Sequence, residues 1–275
     1  MQKTLLTFAT LISGLALFLG ADPGRFAFQY VDAGGHRLRM LIRGRGNPTV
    51  VFENGRRGSL GSPLEMWGKV QPDVSRFAQT VAYDQAGTGR SAPGPEPHDS
   101  LENARELHTA LRNARVAPPY ILVGHSFGGP FIRVFASLYP AEVSVLVLVD
   151  PTQEEFIRWD RARHPNDHDI TEEDWKVIQA SLSEAHASRI PAGIPVVLIT
   201  GMGPRHLPGW MTASEKRDYA TDHQMWLKFH TDWLKTVPNG QHLITEESGH
   251  GVPFTEPGLI VRVVRQMVAQ VRSRP

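Results

Sequence analysis

Downstream of residue 25, short uninterrupted apolar runs alternate with longer stretches in which apolar residues recur every three or four positions. The runs TVVFEN (Thr49–Asn54), TVAYD (Thr80–Asp84), YILVG (Tyr120–Gly124), VSVLVLVD (Val143–Asp150), PVVLIT (Pro195–Thr200) and QHLITEE (Gln241–Glu247) predict strands. The first five are rich in β-branched residues and show no polar alternation, the pattern of parallel strands covered on both faces. Ahead of them, Phe28–Gly44 (FQYVDAGGHRLRMLIRG) predicts an antiparallel hairpin. Between the strands, Leu101, Ala104, Leu107 and Leu111 share one face at helical spacing, as do Ile260, Val263, Val264, Met267 and Val271 near the C-terminus. Strands alternating with helices call for an α/β domain built on a doubly wound, mostly parallel sheet. Residues 151–194 break the rhythm, because a crossover needs far fewer. Thr171, with Asp174 three positions on, has the form of a helix N-cap box. The segment is therefore expected to form a small helical cap over the active face.

The N-terminus carries a different signal. Lys3 precedes an unbroken apolar run from Leu5 to Gly20, the arrangement of an export leader. Leu19 occupies a position where a cleavage site ending at Ala21 would prefer a small residue. The run is long for a signal peptide and slightly short for a relaxed membrane span. Residues 1–21 are thus expected to be a signal peptide or an N-terminal membrane anchor, followed by the functional domain at 25–275, with a buried structural segment as the remaining alternative. In the first two cases the domain would be exported, periplasmic or secreted, or else membrane-anchored outside the cytoplasm. Composition narrows the chemistry. The 29 Lys and Arg nearly balance 28 Asp and Glu, and no basic run is interleaved with aromatics, so nothing points to nucleic acid. The absence of cysteine excludes disulfides, thiolate metal sites and a cysteine nucleophile.

Gly124-His125-Ser126-Phe127-Gly128 is a G-x-S-x-G sequence between a predicted strand and a predicted helix. A sharp strand-to-helix turn there strains the serine backbone and exposes its hydroxyl at the top of the sheet. A serine hydroxyl needs a base, and His250 is the best placed of the 12 histidines, on a loop after the last strand. His125 neighbours the nucleophile but is expected to be turned elsewhere, and His36, His98 and His108 fall in segments away from that face. A carboxylate should fix the imidazole tautomer. Asp150 ends a buried strand, where an unpaired charge is costly, whereas the sequence after Thr200 (GMGPRHLPGW) contains no acid. Asp150 is therefore the expected acid, with Asp222 as an alternative. The N–H of Phe127 is one expected oxyanion donor, and the loop after TVVFEN should supply the other.

These segments resemble the α/β-hydrolase superfamily. The resemblance extends to YDQAGTGRSAPGP (Tyr83–Pro95), similar to the family's D-x-x-G-x-G-x-S segment through Asp84, Gly87, Gly89 and Ser91, and to LVGHSFGG, YPAEVSVLVLVDP and SGHGVPFTEPGLI. It implies an eight-stranded α/β-hydrolase fold and a serine hydrolase that needs no cofactor and no metal. Aligned on the family's His-Gly-x pattern, Asn54-Gly55-Arg56 makes the Arg56 N–H the second oxyanion donor. The implied substrate is a small molecule with a carboxylic ester, lactone or amide bond. An acyltransferase, a perhydrolase or a slow-turnover sensor could use the same residues. The sequence departs from the family at Asn54, which replaces a common histidine, and in lacking an acid after the seventh strand.

Other features have ordinary explanations. Arg56 and Arg57 could hold an anionic group, but solvated arginines paired with acids such as Glu65 are the better explanation. His223, Trp226, His230 and Trp233 share one helix face, without a familiar zinc spacing, and read as a packed helix. Phe156, Trp159 and Trp175 could line a substrate pocket or simply anchor the cap.

Overall fold

The computed structural model describes residues 28–56, 63–164, 170–203 and 212–274. The apolar leader and Arg57 lie outside them. Among the described residues no helix is long and apolar enough to cross a membrane.

Eight strands form one sheet: β1 (Phe28–Asp32), β2 (Arg37–Arg43), β3 (Thr49–Glu53), β4 (Gln79–Tyr83), β5 (Tyr120–His125), β6 (Val143–Val149), β7 (Val196–Gly201) and β8 (Gly240–Thr245). Their spatial order is β1-β2-β4-β3-β5-β6-β7-β8. The hairpin β1–β2 is antiparallel and β2 runs antiparallel to β4, while every other pairing is parallel. The described helices are α1 (Pro63–Met66), α2 (Gln71–Val74), α3 (Ser100–Asn113), α4 (Gly128–Leu138), α5 (Glu154–Arg163), α6 (Glu172–Ala187), α7 (Ala213–Leu234), α8 (Val252–Thr255) and α9 (Pro257–Arg272).

The continuous apolar runs serve two cores at once, because successive strand residues point to opposite faces. Val51, Leu122, Leu146, Leu148, Val196 and Leu198 pack with Ala104, Leu107 and Leu111 of α3 and Ile132 and Phe135 of α4. Their neighbours Val50, Phe52, Ile121, Val123, Val147 and Ile199 pack on the other face with Trp67, Val74 of α2, and Ile260, Val264 and Met267 of α9. A strand that must satisfy both layers is apolar along most of its length. The predicted apolar face of α9 is buried at Ile260, Val263, Val264 and Met267, and Val271 is partly covered.

The segment 151–194 holds α5 and α6, and Thr171 caps α6 by accepting from the Asp174 N–H. Helix α6 lies against α3 and α4, and α5 lies against α7. One side chain ties these helices to the core. Arg133 on α4 sits 2.7 Å from the Glu154 carboxylate at the start of α5 and donates to the Ala185 carbonyl of α6. It also stacks over the Trp233 ring of α7. Both charges are almost fully buried, so each depends on the other. Arg133→Met should cost about 3–5 kcal/mol in urea unfolding by stranding Glu154, and adding Glu154→Leu should restore most of the loss. A single substitution costing under about 1 kcal/mol would show that the pair does not lock the helices.

Candidate active site

Backbone constraints at the end of β5 present Ser126. Its φ of 54° lies in the left-handed region, which costs a residue with a Cβ roughly 1–3 kcal/mol unless the surroundings enforce it. Here they do: the Ser126 N–H donates to Val149 O, and its carbonyl accepts from Gly129 and Thr152. The flanking glycines are required by space. A Cβ on Gly124 would lie 2.4 Å from Gly128 O, and one on Gly128 would lie 2.6 Å from Asn54 O. The segment after β3 thus packs directly on the turn, and a Cβ on Gly55 would stand 3.5 Å from Ser126 Oγ.

The structure brings Ser126, His250 and Asp150 together. His250 Nε2 is 3.0 Å from Ser126 Oγ, and its Nδ1 is 2.7 Å from Asp150 Oδ2. An ionised carboxylate only accepts, so Nδ1 carries the proton and Nε2 is left to accept from the serine hydroxyl. Asp150 stands just past β6 with a φ of 43°, a second strained non-glycine residue. Its other oxygen accepts from the Gly201 N–H at 2.9 Å and from Trp226 Nε1 at 2.8 Å. Burial pushes the Asp150 carboxyl up, but the His250 hydrogen bond and charge, with help from His230 and Trp226, hold it below the ordinary carboxylate value. Asp222 pairs with Arg163 and His164 instead.

The loop carrying His250 depends on glycines in β7 and just beyond it. Gly249 and Gly251 are not at positive φ. Cβ atoms on Gly201 and Gly203 would strike Gly249 O at 2.3 Å and Ser248 N at 2.7 Å, which is what lets the loop close down. The sequence expectation for His125 is corrected: its ring packs 4.7 Å from that of His250, and its Nε2–H donates to the His250 carbonyl at 2.7 Å. Its turn does not send it away, because the side chain at the end of β5 reaches sideways beneath the base loop.

The alpha/beta hydrolase fold family profile matches residues 48–184. The Bacillus subtilis (strain 168) protein YqjL is 24% identical over 223 residues, spanning 79% of this chain and 82% of that one. A 2-hydroxy-6-oxo-6-(2'-aminophenyl)hexa-2,4-dienoic acid hydrolase of Metapseudomonas resinovorans is 27% identical over 121 residues, and the match spans 44% of this chain but only 41% of that protein. The solved carboxylesterase CesB (YbfK) of Bacillus subtilis superposes with a TM-score of 0.61 at 17% identity, covering 90% of this chain and 93% of that one. The chain belongs to the α/β-hydrolase superfamily.

In this α/β-hydrolase, Ser126 and His250 open into a cavity of about 330 Å³, at the lower end of ordinary ligand pockets. Phe156 of α5 and Tyr219, Asp222, His223 and Trp226 of α7 line it. The roof therefore comes from α7 as much as from the insertion after β6. Phe156 reaches the pocket, whereas Arg163 stacks on Trp159 and Arg161 on Trp175, which keeps those two tryptophans in the cap's own packing. Arg56 and Phe127 line a second, smaller cavity of about 160 Å³ with Phe131 and Ile178. Asp160, His164 and Asp222 place one donor atom each within 4.8 Å of one another, a spacing a divalent ion could use, although Arg163 already approaches Asp222 at 3.8 Å.

Sequence reasoning missed two supporting residues on α7. Trp226 reads as part of a packed face, yet its N–H donates to Asp150. His230 is fully buried and bridges Thr200 Oγ1 (2.8 Å) and Pro151 O (2.7 Å). A carbonyl only accepts, so Nε2 holds its proton, Thr200 donates to Nδ1, and Thr200 accepts in turn from His242. The chain anchors the backbone next to the strained Asp150. The i, i+4 spacing of Trp226 and His230 was the available signal, but it does not separate a packed face from one aimed at a carboxylate.

Burial lowers the pKa of His125 and of His230 to about 4. Unfolded, each titrates near 6.5. Between those values the unfolded chain binds more protons, so the stability is complete above about pH 6.5 and is lost as pH falls toward about 4. Glu53 and Glu184, with carboxyls raised to about 7, gain stability as pH falls through the same window, so the histidine contribution is read as a difference between proteins. His230→Gln should lose less of its thermal midpoint than the wild type between about pH 7 and about pH 4.5, and an equal change in both would contradict a neutral, buried His230.

Proposed function

We propose that the protein is a serine hydrolase acting on carboxylic esters, or the related lactones and amides, through an acyl-enzyme on Ser126. The observation that carries this reading is the unbroken hydrogen-bond chain from Ser126 Oγ through the His250 ring to Asp150. In the first half-reaction Oγ attacks the acyl carbonyl while His250 Nε2 takes its proton. The ionised Asp150 stabilises the imidazolium and keeps Nδ1 turned toward itself. The N–H groups of Phe127 and Arg56 receive the developing oxyanion: Phe127 opens α4 directly after the nucleophile, and the backbone of 54–56 packs on Ser126. His250 then returns the proton to the leaving alkoxide or amine. Water enters, His250 removes its proton, and the acid leaves as Oγ is reprotonated. No step calls for a cofactor or metal. The size of the cavity and its lining by Phe156, Tyr219 and Trp226 suit an acyl or alcohol part of modest length.

The leader reading stands as part of the same proposal: export, with either cleavage after residue 21 or retention as an anchor. Fractionation of cells expressing the full chain tests it, since recovery of uncleaved protein in the cytosol would refute both forms.

The activity test is a series of p-nitrophenyl esters of increasing chain length, run beside labelling with a fluorophosphonate. Ser126 should be the labelled residue. Ser126→Ala, His250→Ala and Asp150→Asn should each lower kcat at least about a thousandfold. Transfer of the acyl group to added alcohols in preference to water would convert the reading to an acyltransferase. Binding without turnover, unaffected by His250→Ala, would mark a sensor. Trp226→Phe keeps the ring against Phe156 but removes one hydrogen bond from Asp150, so kcat should fall about tenfold with KM little changed. Full activity in that variant would show that the indole is only packing.

A further inference from the structure

A buried polar cluster outside the Ser126–His250–Asp150 chain bears on the same chemistry. Glu53 ends β3, is fully buried, and stands beside Gly124 in the parallel pairing with β5. Its carboxyl accepts from three donors on two elements: the Tyr83 hydroxyl, Gln85 Nε2 at 2.7 Å and the Asn54 N–H at 3.0 Å. The Gln85 amide also approaches Asn54 O at 3.4 Å, so both backbone polar groups of Asn54 are held. The Asn54 carboxamide contributes nothing to this restraint, since among the described residues neither of its polar atoms has a hydrogen-bond partner although the residue is only 3% exposed. The restraint acts through the backbone. Directly beyond it, Gly55 passes against Ser126, and Asn54 O abuts Gly128.

We propose that Glu53, gripped by Tyr83 and Gln85, is a positioning residue that sets the path of Asn54–Arg56 and hence the distance of the Arg56 N–H from the substrate oxyanion. The inference rests on the acyl-transfer reading of Ser126. Its physical basis is that an oxyanion donor works only when preorganised, and a displacement of an ångström forfeits much of its effect. A glutamate that accepts three hydrogen bonds in a dry site is well suited to hold a loop rigid. Burial pushes the Glu53 carboxyl up to about 7 while the Tyr83, Gln85 and Asn54 donors pull it down. Glutamine could keep all three contacts by turning its NH₂ to the Tyr83 hydroxyl, which accepts as well as donates, whereas methionine keeps the bulk and removes every acceptor.

The test compares wild type, Glu53→Met and Gln85→Met, measuring kcat and KM for p-nitrophenyl butyrate, the inhibition constant of phenylboronic acid, and the melting temperature. Gln85→Met removes the amide that touches both Glu53 and Asn54, and it decides the matter should Glu53→Met fail to fold. In a folded variant kcat should fall at least about tenfold with KM changed less than about twofold. Boronate inhibition should weaken by the same factor as kcat/KM, because its tetrahedral adduct on Ser126 uses the same donors. A purely structural role would not produce that parallel. Retention of kcat within about twofold, or a loss of kcat without weaker boronate inhibition, overturns the proposal. Absence of Ser126-dependent turnover in the wild type would instead overturn the hydrolase reading beneath it.

Discussion

The site depends on keeping one buried carboxylate charged. Asp150 is 1% exposed, and burial alone would drive it toward the neutral acid. The Nδ1–H of His250 reverses that outcome first, with His230 and the Trp226 indole from α7, and the Gly201 N–H at the end of β7 also donates to the carboxylate. Each comes from a different part of the chain, so the charge survives only when β6, β7, α7 and the base loop are assembled together. Once it survives, the tautomer of His250 follows, and with it the direction in which the Ser126 hydroxyl can give up its proton.

The fold supplies this assembly by stiffness. Strands packed on both faces cannot slide without exposing one core or the other, so their carboxyl ends are fixed relative to each other. Ser126 and Asp150, at the ends of neighbouring strands β5 and β6, both take positive φ angles. They are bound to each other's surroundings, since Ser126 O accepts from Thr152 and Ser126 N–H donates to Val149 O. Strain at two adjacent strand ends is tolerable because the sheet beneath them has no softer way to relax. The buried Arg133 extends the same rigidity to α5, α6 and α7, which close over the cavity.

Much of this was written plainly in the sequence. The parallel strands were legible because their runs must feed two cores, and Ser126 because its turn needs glycine on both sides. Asp150 was found by elimination, from a charge at the end of an apolar run and the lack of an acid after Thr200. What the sequence hid lies at right angles to the chain. Trp226 and His230 look like any packed helix face until α7 is docked beside β6 and β7. His125 was misplaced because its position on the turn says nothing about a loop arriving from residue 250. Gly201 and Gly203 are demanded by the close approach of the loop carrying His250 rather than by an unusual dihedral angle, and that approach is invisible in the chain. Glu53 resembled the end of one more buried strand, and its partners Tyr83 and Gln85 are about thirty residues away in the chain.

The most direct test of the central claim is the protonation state of the His250 ring, read by nitrogen-15 NMR of histidine-labelled protein at neutral pH. The account expects a proton on Nδ1, shifted strongly downfield by the Asp150 carboxylate, and an unprotonated Nε2, with the downfield resonance lost in Asp150→Asn. A His250 ring protonated at Nε2 and bare at Nδ1 would mean that Asp150 is not the charged partner described here, and the proton path from Ser126 would have to be abandoned.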